Sequence, residues 1–159
     1  MEVIYIKKEI SIKKTRKDAE ELFRKGDFYC SESIVSSIKD NFEIDMPDEM
    51  VAMASGFPIG IGKSKCVCGA VSGGVLSIGY FFGRTRGGDP KVQNTLKLAN
   101  ELQEGFRKNH GCLCCHVHTK GLDMASGEHK GQCISFTGEI AEKTAEIIVR
   151  ELNLTNIDE

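Results

Sequence analysis

Cys66-Val-Cys-Gly-Ala-Val-Ser-Gly-Gly-Val-Leu-Ser-Ile-Gly-Tyr-Phe-Phe-Gly83 is the stretch on which the reading of the fold turns. It is the longest uncharged run of the chain, eighteen residues, and nominally reaches membrane-span length. Five of those residues are glycine and several are serine or cysteine, so its hydrophobicity is weak. A buried central helix is therefore expected in place of a membrane span. Glycines at 69, 73, 79 and 83 include four-residue spacings that let a neighbouring helix backbone approach closely. Each interior helical glycine costs up to about 1 kcal/mol, which points to a position where close packing is required.

Upstream of that run, GFPIGIGKSK (56–65) reads as a loop, and residues 56–88 together hold ten of the seventeen glycines. Gly60-Ile-Gly62-Lys63-Ser64 is only a fragment of a phosphate-binding loop. The N-terminal residues 2–12 are β-branched with partial alternation and predict a short strand or an ordered tail. From Thr15 the pattern is helical, with Ala19, Leu22 and Phe23 on one face, until Gly26-Asp27 breaks it. A second helix is expected from about Cys30, carrying Ile34, Val35, Ile38 and Phe42. A short helix over 49–55 follows the Asp45-Met46-Pro47-Asp48 punctuation. After Gly87-Gly88-Asp89-Pro90, Val92, Leu96, Ala99, Leu102 and Phe106 form one stripe. Residues 110–132 read as irregular, and a last helix places Ile140, Ala141, Ala145, Ile148 and Leu152 on one face. These readings give a mainly α, single-domain helical bundle around a central glycine-rich helix. Residues 1–14 form its tail or short strand, and 15–153 its cysteine-rich body.

Composition narrows the function. With 159 residues the chain can bury a core without disulfide staples. Lys plus Arg (21) nearly balance Asp plus Glu (23), which argues against nucleic acid as a partner. Six basic residues between Lys7 and Lys17 read as a solvated face, with no apolar segment of signal-peptide length beside them. The expected location is the cytoplasm, where cysteines persist as thiols, ligands or transient redox partners.

Seven cysteines, at 30, 66, 68, 112, 114, 115 and 133, are many for this length, and their odd number argues against a fully paired disulfide framework. Cys30, Cys66, Cys68 and Cys133 each precede a predicted helix. The free N–H groups and partial positive charge of a helix start lower a thiol pKa and stabilise the thiolate that attacks disulfides or binds metal. The densest segment is His110-Gly-Cys112-Leu-Cys114-Cys115-His116-Val-His118. Thiolate and imidazole together suit zinc or iron. Cys112 and Cys115 also have the spacing of a redox dithiol, and His116 completes a c-type haem attachment pattern that is disfavoured without export. His118 and His129 read as loop residues.

The cysteine order resembles the bacterial and archaeal family of redox-active proteins named for the pattern C_GCAxxG_C_C. The matching pieces are Gly26-Asp-Phe-Tyr-Cys30-Ser-Glu-Ser, Cys68-Gly-Ala-Val-Ser-Gly73, one cysteine of the 112–115 group, and Cys133. The family label writes Gly-Cys-Ala where this chain reads Cys68-Gly69-Ala70, and Cys66, Cys112 and Cys114 exceed its four cysteines. The resemblance implies a mostly helical fold and redox activity carried by the matched cysteines. It also implies similarity to the non-haem portion of split-Soret cytochromes, thought to carry an iron–sulfur centre.

Three functional expectations follow. The first is an electron-transfer or redox-sensing protein with an iron–sulfur cluster on Cys30, Cys68, Cys115 and Cys133. Cys66, Cys112, Cys114 and His116 are then secondary metal candidates, and a redox protein is the expected partner. The second is a thiol–disulfide switch or oxidoreductase, using Cys112 with Cys115, or Cys66 with Cys68. The third is a zinc-stabilised structural domain built on Cys112, Cys115 and His116 or His118. An N-terminal strand could also pair across a homodimer.

Overall fold

A computed structural model describes residues 5–158. Its elements, in chain order, are β1 (Glu9–Ile10), α1 (Ile12–Lys25), α2 (Cys30–Phe42), α3 (Asp48–Met53) with a 3-10 turn over Ala54–Gly56, α4 (Gly69–Phe82), α5 (Val92–His110), α6 (Cys115–Thr119), α7 (Gly127–Glu151) and β2 (Thr155–Asn156). The fold is mainly α, as expected. No helix among the described residues is long and apolar enough to cross a membrane.

Helix α4 is central, packing against α2, α5 and α7, while α1 lies across α7 and α2. The core runs through Ile34, Ile38 and Phe42 of α2, Ile78 of α4, Phe106 of α5 and Ile140 of α7, all almost fully buried. The short strands close the molecule. β1 pairs parallel with β2, Glu9 opposite Thr155 and Ile10 opposite Asn156. Helix α1 begins at Ile12, where Ser11 caps it by accepting the Lys14 N–H at 3.0 Å. Of the expected N-terminal strand only Glu9–Ile10 is a strand, and residues 1–4 lie outside the described ones.

Three local expectations are corrected. On α5 the buried residues are Leu98, Leu102 and Phe106, whereas Leu96 is 58% exposed, because Leu98 shares the four-residue row of Leu102 and Phe106. The 110–132 segment contains α6, and α7 begins at Gly127 after a Ser126 cap that accepts the His129 N–H at 3.1 Å. Cys133 is therefore inside α7, seven residues in, instead of ahead of it. Finally, the glycines of α4 have different surroundings. A Cβ at Gly73 would fall 2.7 Å from the Ser31 backbone of α2, whereas one at Gly79 would meet open space. Gly79→Ala is expected to stabilise the protein by about 0.5–1 kcal/mol through helix propensity, raising the midpoint of chemical denaturation. An unchanged or lowered midpoint would count against this placement.

Candidate functional site: four cysteines around one cavity

Cys68 and the 112–115 segment meet through backbone pairing. Val67 and Cys114 form an isolated antiparallel bridge. On its two sides Cys68 N–H donates to Leu113 O at 2.7 Å and Cys115 N–H donates to Cys66 O at 2.5 Å. Cys68 is the N-cap residue of α4; its side chain makes no capping hydrogen bond, but the nearby amides of Ala70 and Val71 act to lower its pKa. Cys30 opens α2, whose first turn is closed by the Glu32 carboxylate accepting the Tyr29 N–H at 2.9 Å. The Cys30 sulfur receives amides from Ser31 and from Ile59.

Ile59 is presented by a segment that the sequence reads only as a loop. Ile59, Gly60, Ile61, Gly62 and Lys63 form a continuous left-handed run, with φ of 56, 64, 65, 58 and 68°, and Lys65 follows at 55°. Each non-glycine residue there costs about 1–2 kcal/mol. A Cβ on Gly60 would stand 2.3 Å from Cys66 N, so the turn folds back tightly onto the cysteine segment. Ile61 N–H to Phe57 O, at 2.8 Å, and Cys66 N–H to Gly60 O, at 2.9 Å, hold it closed. Strain of this kind persists only where surrounding structure over-determines it, and here it lies against the cysteines.

The Cys68-Gly-Ala-Val-Ser-Gly73 element has a physical reading. Cys68 supplies a sulfur, and Gly69 leaves room for another, since a Cβ there would sit 2.6 Å from the Cys30 sulfur. Gly73 lets the α2 backbone approach. Cys30, Cys68, Cys115 and Cys133 all line one cavity of about 620 Å³, whose wall also includes Ile59, Phe28, Phe136 and His129. Cys66, Cys112 and Cys114 do not line it.

Electrostatics correct the expectation of low-pKa thiols. Burial raises Cys30 well above the ordinary thiol value, reinforced by the Cys68 and Cys133 thiols, and the two amides only partly offset it. Burial pushes Cys68 up to about 11 against its own two amides. Cys133 is pushed up to about 12, by burial and by Cys68 and Cys115. Cys115 is raised too, by burial first, with Lys65 opposing. Helix-start donors are present at Cys30 and Cys68, but desolvation of an unpaired thiolate outweighs them.

The remaining candidates lie apart. All seven cysteines are free thiols, and Cys66 is exposed. The Cys112 sulfur faces His118 Nε2 at 3.7 Å, and the same nitrogen is 2.9 Å from Cys112 O. The Cys114 thiol donates to Lys65 O at 3.8 Å, and His116 is exposed. Two histidines read as loop residues are not. His118 lies in α6, its ring edge-on to Phe106 and Phe136. His129 lies in α7 with Nε2 3.5 Å from the Cys133 sulfur, a neighbour legible from their four-residue separation once the helix is extended back to Gly127. Among the described residues, no three His, Cys, Asp or Glu side chains stand close enough together to hold a metal ion.

These features define a helical domain organised around separated thiols, Cys68 buried and Cys30, Cys115 and Cys133 partly buried. The chain belongs to the family described as "Putative redox-active protein (C_GCAxxG_C_C)", which matches residues 28–147. It is also 27% identical, over 123 residues, to an uncharacterized protein of Archaeoglobus fulgidus, an alignment covering 72% of this chain and 81% of the other. No solved structure matches it.

Proposed function

We propose that the redox activity is electron transfer or redox sensing by an iron–sulfur cluster held in the cavity by Cys30, Cys68, Cys115 and Cys133. The observation that carries this reading is selective lining: these four cysteines face one cavity and the other three do not. The donor set suits such a group, since thiolates are the usual protein ligands of iron–sulfur clusters. The 620 Å³ space is far larger than one ion needs, and the spread of the side chains disfavours a preformed single-ion site. When bound, the cluster would supply reversible one-electron chemistry. The chain's own part is to supply thiolates, to surround them with Phe28, Phe136 and Ile59, and to aim the Ser31, Ile59, Ala70 and Val71 amides at two sulfurs. Amides directed at cluster sulfurs raise the reduction potential.

The raised thiol pKa values favour the same reading. A thiol that resists ionisation is a poor nucleophile in the metal-free protein, whereas a cationic centre gives buried thiolates a partner. The thiol–disulfide reading loses support on this ground for Cys30, Cys68 and Cys133, the most strongly raised of the thiols. The zinc reading draws on the Cys112–His118 contact, but Cys115 faces the cavity instead.

Anaerobic purification followed by iron, sulfide and visible-absorption measurements tests the proposal. The expected result is coloured protein, with Cys30→Ser, Cys68→Ser, Cys115→Ser and Cys133→Ser each losing most of the bound iron. Cys112→Ser should retain it. Colourless, iron-free protein after reconstitution with ferrous iron and sulfide would overturn the reading.

A further inference from the structure

We propose that Cys66 and Cys115 form a reversible disulfide when the protein meets a hydroperoxide, making Cys66 a thiol that withdraws one cysteine from the cavity wall. The pair stands on a shared rung. Cys66 and Cys115 flank the Val67–Cys114 bridge on the same side, and Cys115 N–H donates to Cys66 O at 2.5 Å. They share one of the two hydrogen bonds of a directly opposed antiparallel pair, whose Cα atoms lie about 5.5 Å apart. A disulfide spans Cα separations of about 4.4–6.8 Å, so side-chain rotation is the main adjustment required. Both backbones are anchored: Cys66 N–H is bound to Gly60 O at 2.9 Å, and Cys115 begins α6.

The other pairings are less well placed. Cys66 and Cys68, two apart on one extended segment, are separated by about 6.6 Å at full extension, near the upper end of the disulfide range. Cys68 is in addition buried with two amides at its sulfur. Cys112 has its sulfur against His118. Cys66 alone among the seven is exposed, which makes it the first to meet an oxidant.

The chemistry balances in two steps. The Cys66 thiol attacks the peroxide O–O bond, giving Cys66 sulfenic acid and releasing water, or an alcohol from an organic hydroperoxide. The Cys115 sulfur then attacks the sulfenic sulfur, the S–O bond breaks, and a second oxygen leaves as water. Two thiols are oxidised by two electrons in total and the peroxide is reduced by the same two. A dithiol reductant reverses the product by thiol–disulfide exchange. Loss of a cluster ligand as the consequence rests on the proposed function above; the disulfide itself does not.

The test treats the full-length chain with one equivalent of hydrogen peroxide, as purified anaerobically and after chelation. Tandem mass spectrometry must place the link within the tryptic peptides, because 66–84 contains both Cys66 and Cys68, and 109–120 contains Cys112, Cys114 and Cys115. A Cys66–Cys115 link is expected, released by dithiothreitol, lost in Cys66→Ser and kept in Cys112→Ser. Far-ultraviolet circular dichroism checks that the variants fold. Cys66 remaining free to alkylation in the treated wild type, or a link from Cys115 to Cys112 or Cys114, would overturn the proposal. Iron in the untreated sample is read separately. Its absence would remove the cluster and leave the disulfide result standing, whereas a free Cys66 would remove the disulfide alone.

Discussion

Gly73→Ala is expected to destabilise the protein by about 3 kcal/mol, and to lower its melting temperature by about 10 °C. Alanine is the better helix former by about 1 kcal/mol, so propensity alone predicts the opposite sign. The added methyl would fall 2.7 Å from both Cα and O of Ser31 and 3.1 Å from its carbonyl carbon. These are backbone atoms in the first turn of α2 and cannot rotate away, so the helices must separate. Ser31 is held by its own hydroxyl, which donates to Ala54 O at 2.7 Å. Separation would also carry Cys30, one residue earlier, away from the cavity, so any iron bound by the wild type should fall in parallel. Thermal unfolding followed by circular dichroism measures the first effect, with Gly79→Ala as the internal contrast. A Gly73→Ala protein as stable as the wild type would contradict the close approach of α2 to α4.

The second large effect concerns pH. The metal-free protein should lose stability as pH rises above about 9, the ordinary thiol value from which Cys68 is shifted. In the folded chain Cys68 holds its proton up to about 11, while in the unfolded chain it has released it by then. The folded state thus binds more protons between those values, and each unit of pH costs about 1.4 kcal/mol for this one thiol. Cys133, pushed up to about 12, and Cys30, raised by the same burial, add in the same direction. Below the unfolded value the contribution is fully present and pH-independent. Urea titrations of chelated protein from pH 7.5 to 10.5 should show this fall, and Cys68→Ser should make it shallower by about 1.4 kcal/mol per pH unit above pH 9. A flat profile in the wild type would mean that the thiols are more solvated than the structure has them. Because thiolates would be partnered in a metal-bound form, the same experiment on iron-loaded protein should give a shallower fall.

Much of the helix arrangement is legible without coordinates. The uncharged run 66–83 becomes α4, and the apolar row Ile34, Val35, Ile38 and Phe42 is the buried face of α2. In α7, Ile140, Ala141, Ala145 and Ile148 are all buried. Errors arise where periodicity is ambiguous or weak. On α5 the sequence offers two overlapping leucine rows, and only packing against α4 chooses the one through Leu98. The opening turns of α7, Gly127-Glu-His-Lys-Gly-Gln, carry two glycines and no apolar row, so the helix is invisible until its Ser126 cap is seen. That omission hides the pairing of His129 with Cys133.

By itself the sequence determined most of the helices, that α4 would be buried, and that Cys30, Cys68 and Cys133 match the family pattern, with its remaining cysteine somewhere in the 112–115 group. These follow from local periodicity, glycine spacing and residue order, all properties of short stretches of chain. Only the tertiary structure decided what surrounds each sulfur. The Ile59–Lys63 turn is left-handed against the intrinsic preference of isoleucine and lysine, so local propensity points away from it, and long-range packing must hold it. The Val67–Cys114 bridge joins segments forty-seven residues apart, and desolvation at the cavity reverses the pKa shift that helix starts alone would produce. Burial is a property of the assembled fold, and at Cys30 and Cys68 its cost to a thiolate exceeds what two amides return.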